Sequence, residues 1–183
     1  MVLIGTLSKV LTPALRFGWI VASGEMRDRL GVVRADLDLA VSAVTQEALA
    51  AYLADGSLAR HVARRRREYR HRRQLVLEAL GSTVGVTLTA MNGGLHAVAL
   101  LPDAAPDDES RVVAEIAARG VLVAGLGDYA FPGTPTGLPA GIVLGYAEPT
   151  TVRLTEALSV IAEVLGRRGG APDAGAFLTL GRS

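Results

Sequence analysis

Apolar positions along this chain change period several times, and the changes mark out alternating strands and helices. Residues 2–4 and 17–22 are short apolar runs that read as strands, joined by a loop rich in hydroxyls and small residues. Residues 24–33 read as a short helix. From 42 to 54, Val44, Ala48, Leu49, Tyr52 and Leu53 recur at helical spacing, with Gly56 as a C-terminal stop. A long helix follows over 58–80. Leu58, Val62, Tyr69, Val76 and Leu80 give it a narrow apolar stripe, and Gly81 ends it.

Beyond Gly81 the period falls to two. Val84, Val86 and Leu88 alternate with polar or small residues, and so does the run around His96, Val98 and Leu100; Asn92-Gly93-Gly94 between them is a strong turn signal. Residues 107–119 predict a helix with acids in its first turn and an arginine in its last. Residues 121–124 and 142–146 predict two more strands. The loop between them carries Pro132, Pro135 and Pro139 among Gly127, Gly133, Gly137 and Gly141, so it reads as irregular and exposed. Thr150 can cap a last helix with Leu154, Leu158, Ile161 and Leu165 on one face. This order predicts an α/β to α+β fold with no internal repeat. The expected parts are 1–57, 58–167 and a flexible tail over 168–183.

Composition narrows the function less than the pattern narrows the fold. The 183 residues suffice for one good-sized domain or two small ones, and half of them are apolar. Mean hydropathy is +0.34, yet no apolar run approaches the roughly 18 residues a membrane helix needs. The run over 121–126 reads instead as a buried strand. Met1 leads into a strand-like segment without a basic leader, and there is no cysteine, which excludes disulfides and thiolate metal sites. A cytoplasmic location without membrane contact is expected. His61, His71 and His96 are too scattered in sequence to suggest a metal cluster. The net charge of +1 favours no partner.

The most informative residue is Lys9, in the loop between the first two strands. A free lysine amine, with a pKa near ~10.4, is a poor nucleophile at neutral pH. A neighbouring cation or a pre-positioned aldehyde makes it useful. Thr6 and Ser8 offer hydroxyls on a tight turn, and Arg16 offers a planar fork suited to phosphate oxygens. On chemistry alone, the competing reading is a surface lysine with Arg16 paired to a carboxylate.

The string Gly-Thr-Leu-Ser-Lys from Gly5, with Pro13 and Leu-Arg-Phe-Gly-Trp ending at Trp19, resembles the cofactor-lysine segment of fold-type-I pyridoxal-phosphate enzymes. It is most similar to the aminotransferase-like domain of MocR-type regulators of the GntR superfamily and to their aminoadipate-aminotransferase relatives. The stretch 44–56, the run Ala-Arg-His-Val-Ala-Arg-Arg-Arg-Arg-Glu-Tyr-Arg, Gly-Gly-Leu-His and Val-Leu-Gly-Tyr-Ala resemble successive landmarks of that family's C-terminal half. The resemblance implies part of a large-domain sheet followed by a small α+β domain with a mainly antiparallel sheet. It implies pyridoxal 5'-phosphate as cofactor, with Lys9 carrying it covalently and Thr6, Ser8 and Arg16 holding its phosphate. It also implies a homodimer that takes a small-molecule amine or amino acid and meets DNA only through a winged-helix domain outside these residues.

Two departures shape the expected function. The family's substrate-carboxylate arginine aligns with Val143, and no arginine occurs between Arg119 and Arg153. That favours a regulator sensing an amine or the cofactor over an active transaminase. The family's ring-stacking and phosphate-cradling elements lie upstream of the lysine, so the chain reads as the C-terminal portion of a longer protein or the product of a truncated reading frame. These residues alone are expected to bind the cofactor weakly.

A reading of another class rests on Arg60, Arg64 to Arg67, Arg70, Arg72 and Arg73, which could form a nucleic-acid surface. Against it, the arginines spread round the helix without interleaved aromatics, as on a solvated helix whose arginine stems cover apolar surface. His96 is expected half-buried and structural, Trp19 in the core, and Asp128 and Tyr129 in a turn.

Overall fold

The structure is a computed structural model that describes residues 1–37, 41–89, 91–105, 107–131, 133 and 139–169. The chain divides into two compact units, Met1–Arg67 and Glu68–Ser183.

In the first unit, β1 (Leu3–Thr6) and β2 (Gly18–Val21) pair antiparallel, with Leu3 opposite Val21 and Thr6 opposite Gly18. Helices α1 (Gly24–Asp36) and α2 (Ala43–Ala54) follow, then the start of α3 (Ser57–Leu80). No stop signal interrupts Arg34 to Asp36, so α1 runs past the expected end at 33. The Ser42 hydroxyl accepts the Thr45 amide and begins α2. Asp55 accepts the Ser57 amide at 2.8 Å at the start of α3, and this bond with the Ser57 hydroxyl holds its carboxyl below the usual range. Trp19 is not a core residue. It is 43% exposed, and its indole lies across Gly5, where a Cβ would come within 2.3 Å of the ring. A glycine is therefore required opposite it.

The second unit is an antiparallel sheet in the order β3-β4-β6-β5, formed by β3 (Thr87–Thr89), β4 (His96–Leu100), β5 (Ala124–Gly125) and β6 (Gly141–Gly145). Helices α4 (Asp108–Ala118) and α5 (Thr151–Gly169) and the end of α3 supply the other side of its core. Alternation puts Ala97, Ala99, Ile142 and Leu144 on the buried face, against Val76, Leu80, Ile116 and the α5 row Leu154, Leu158, Ile161 and Leu165. The Thr150 hydroxyl accepts the Arg153 amide and caps α5, as expected.

Three expectations fail here. The strand at 84 starts only at Thr87, because Gly85 takes φ +73° in a turn closed by the Val86 amide on the Thr83 carbonyl. The strand at 121–124 shrinks to Ala124–Gly125, and Leu122 stands 89% exposed. Pairing with β6 holds only opposite Val143 and Ile142, so residues 121–123 lie outside the ladder. His96 is exposed and covers Gly145 rather than being half-buried. Helix α5 continues through Gly169, with Arg168 bound to Asp108 at 2.6 Å. The remainder of the expected tail, with Pro132, Pro135 and Gly137, lies outside the described residues.

Candidate functional site

The loop from Leu7 to Phe17 is built so that Lys9 sits on a fixed turn. The Leu7 side chain is buried, and its carbonyl accepts the amides of Val10 at 3.1 Å and Leu11 at 2.8 Å. The Leu7 amide donates back to the Phe17 carbonyl, closing the loop against β2. Thr6 tightens the near side. Its hydroxyl oxygen accepts the Ser8 amide at 3.1 Å, lies 2.9 Å from the Ser8 hydroxyl and 3.2 Å from the Phe17 carbonyl. With the Thr6 proton donated to the Ser8 oxygen, the Ser8 hydroxyl proton is left to serve an incoming acceptor.

Lys9 itself is exposed at the apex of this turn. It is the only lysine in the chain, since eighteen of the nineteen lysines and arginines are arginine. Residues 1–24 contain no acid, so Lys9 and Arg16 are the sole charged side chains of this stretch. Among the described residues neither has an ion-pair partner. Thr12 caps a single 3-10 turn, Pro13–Leu15, and Arg16 closes it at φ 50°, ψ 36°. Arg16 is the one non-glycine residue at positive φ among the described residues. Such a conformation costs a side chain about 1 kcal/mol or more relative to glycine. The loop thus presents an amine, a free hydroxyl proton and an unpaired guanidinium, which suits an anion carrying a carbonyl group.

His61, on α3, joins this loop from 51 residues away. Its Nε2 lies 2.9 Å from the Val10 carbonyl, and Arg64 lies 3.4 Å from its Nδ1. Scatter in sequence hid this residue; only the long-range fold shows it on the turn that carries Lys9.

The arginine run divides in the structure. Arg72 is 6% exposed, and it donates to the Tyr146 carbonyl at 3.3 Å, to the Ala147 carbonyl and to Glu68 at 2.5 Å. It falls between Tyr69 and Val76 on the apolar stripe, a placement legible from the helical period alone. Arg66, Arg67 and Arg70 are exposed. The phenol of Tyr146, pushed up by burial, donates to the Gly94 carbonyl at 3.0 Å and ties the β3–β4 turn to the end of β6.

Glu109 was also hidden in the sequence. One carboxylate oxygen accepts the Gly127 amide at 3.0 Å and the other the Gly141 amide at 2.8 Å, pinning both ends of the proline-glycine loop. Asp128 and Tyr129 form a 3-10 turn in which Asp128 accepts the Gly125 amide, and Tyr129 is 61% exposed. Val143 pairs with Val98 and Ala124 on the partly open face of the sheet, with no guanidinium on that strand. Among the described residues no cluster of acids and histidines could hold a metal, and no helix is long and apolar enough to cross a membrane.

A lysine turn between paired strands, followed by a long helix and a small antiparallel sheet, defines part of a fold-type-I pyridoxal-phosphate-dependent transferase fold. The α-aminoadipate aminotransferase LysN from Thermus thermophilus, solved with N-(5'-phosphopyridoxyl)-L-leucine, superposes with a TM-score of 0.76 at 25% identity, over 90% of this chain and 41% of that one. The chain belongs to the aminotransferase class I and II family, which matches residues 1–161. The HTH-type pyridoxine biosynthesis transcriptional regulator PdxR of Corynebacterium glutamicum is 40% identical over 164 residues, covering 90% of this chain and 35% of the regulator. The probable rhizopine catabolism regulatory protein MocR of Rhizobium meliloti is 29% identical over 153 residues, 81% of this chain and 30% of that protein. The chain thus spans about a third of the length of these curated relatives.

Proposed function

We propose that this chain is the lysine-bearing part of a pyridoxal-phosphate-binding, aminotransferase-like domain from a MocR-type transcriptional regulator that senses an amine or the cofactor itself. The observation that carries the reading is the sole lysine, on a turn next to the Ser8 hydroxyl and in the same loop as Arg16, which has no ion-pair partner among the described residues. Residues 1–57 belong to the cofactor-binding part, and residues 58–167 form the small domain with its linking helix. The partly open β1–β2 ribbon, with Leu3, Ile4, Ile20 and Val21 more than half exposed, supports its membership of a larger sheet.

The residues present fit the cofactor. Lys9 would hold its aldehyde carbon, while Ser8 and Arg16 would hold its phosphate and Thr6 would keep the Ser8 backbone in register. When bound, pyridoxal phosphate supplies an electrophilic carbonyl and an electron-withdrawing ring. The protein's own contribution is to keep the Lys9 amine pointed from a rigid turn and to balance the phosphate charge. Val143, in place of an arginine, removes the bidentate fork that would grip an amino-acid carboxylate. That favours sensing over turnover, with DNA bound through a separate domain of a homodimer. The likeness to aminotransferases supports a second reading, an active transaminase.

Reductive labelling tests the assignment. Borohydride treatment with pyridoxal phosphate has two amines to choose between, Lys9 and the N-terminus. Sub-stoichiometric labelling that still prefers Lys9 over the N-terminus, a preference lost in Arg16→Ala and reduced in Ser8→Ala, is expected. Equal labelling of both amines would remove the assignment. Amine-donor turnover by the labelled protein's parent would decide for the second reading.

A further inference from the structure

We infer that His61 is a positioning residue for Lys9, its imidazole Nε2–H holding the Val10 carbonyl. The inference rests on the reading of Lys9 as the cofactor lysine, but its geometry stands apart from any cofactor. A guanidinium can only donate, so Arg64 at 3.4 Å makes Nδ1 an acceptor. A carbonyl can only accept, so Val10 at 2.9 Å makes Nε2 the donor. Both neighbours therefore agree on Nε2 as the donor. A doubly protonated ring would still serve Val10 but would turn a second N–H toward the Arg64 guanidinium.

The consequence for Lys9 comes from where the bonds fall. The residue before it, Ser8, has its amide tied to the Thr6 hydroxyl oxygen at 3.1 Å. The residue after it, Val10, has its carbonyl tied to His61. The bonds to the Leu7 carbonyl come from within residues 7–11, and the Leu7 amide ties the turn to Phe17 of the same loop. His61 supplies a tether from a different element, the long helix α3, and so limits rotation of the turn as a body. An amine that must meet an aldehyde within a few tenths of an ångström gains from such a tether. The histidine does not touch the reacting atoms; it acts through the backbone.

The test uses the full 183-residue chain with His61→Phe, which keeps a ring without the donor, and His61→Gln, which restores an N–H. Amide exchange without cofactor should quicken about five- to tenfold at Val10 and Leu11 in the phenylalanine variant, the value of one lost hydrogen bond. The glutamine variant should return toward the parent. Nitrogen-15 spectra of the parent should place a proton on His61 Nε2, bonded to the Val10 carbonyl. With pyridoxal phosphate and borohydride, the ratio of Lys9 to N-terminal labelling should fall several-fold in His61→Phe and recover in His61→Gln. Unchanged exchange and labelling in His61→Phe, or a failure of glutamine to rescue either, would overturn the positioning role alone. A parent that labels Lys9 no better than its N-terminus would overturn the Lys9 reading, and the positioning role with it, even with the exchange contrast intact.

Discussion

Replacing Arg72 with methionine should destabilise the second unit by about 3 kcal/mol, although seven other arginines crowd the same helix. The figure follows from the partners. Two backbone carbonyls, of Tyr146 and Ala147, receive charge-assisted hydrogen bonds from a guanidinium that is 6% exposed. Each such bond is worth about 1.5–3 kcal/mol in a buried setting. Two offsets keep the sum at the low end. The Arg72 Nε–H is buried without a partner among the described residues, and Glu68, a third exposed, adds only a screened ion pair. Methionine keeps the apolar stem of the side chain, so packing loss is small. Urea unfolding should be followed by far-UV circular dichroism, because the single tryptophan lies in the other unit. With a slope of about 1.5 kcal/mol per molar, the midpoint should fall by about 2 M. Arg66→Met, on the exposed side, should shift it by no more than the equivalent of about 0.5 kcal/mol. A loss below about 1 kcal/mol for Arg72→Met, or one matching Arg66→Met, would refute the clamp.

Glu109→Ala should cost about 1–3 kcal/mol, because it strands the Gly127 and Gly141 amides, and hydrogen exchange at those two amides should rise first. Gly125→Ala should reproduce part of that effect, since its Cβ would come within 2.5 Å of the Glu109 carboxylate; a neutral outcome by thermal melting would deny the contact. Asp108 should titrate below the usual carboxylate range, chiefly through the Ala105 amide and then through Arg168 and Arg111, with partial desolvation opposing them. Its contribution to stability is therefore complete above the ordinary aspartate pKa and fades as the pH falls through the lower folded value. NMR titration should show Arg168→Ala raising that midpoint only in part. Arg16→Gly should be neutral to stabilising by up to about 1 kcal/mol, since glycine relieves the φ of 50°, while Lys9 labelling falls. A clear loss of stability would instead give the arginine a structural role.

The elements legible in the sequence were those whose signals are local. Ser42 and Thr150 announce helix starts, and each accepts an amide where its position implies. The apolar rows of α5 needed only period 3.6, and all four named leucine and isoleucine positions are buried. Local signals misled where burial depends on a neighbour the sequence does not display. Trp19 ends an apolar strand, yet it lies over Gly5 on a two-stranded ribbon with little to cover it. The 121–124 run has strand composition, but β6 offers it pairing only at Ala124 and Gly125.

The candidate site divides along the same physical line. Lys9, Thr6, Ser8 and Arg16 lie within eleven residues, so one loop carries them and a single stretch of sequence displays them. His61, Arg72 and Glu109 act over separations of 51, 74 and 32 residues, and each works through a backbone carbonyl or amide. Backbone groups carry no residue identity, so such partners leave no motif. Arg72 is the partial exception: its place on the apolar stripe makes a charged residue conspicuous, because burying a guanidinium demands acceptors. The same logic separates the arginines of α3. Those on the stripe must find carbonyls inside, whereas those off it need only water, and a tally of positive charge merges the two. What looks like one basic patch is an internal clamp within a solvated helix, and the helix's contribution to the lysine turn comes from a histidine.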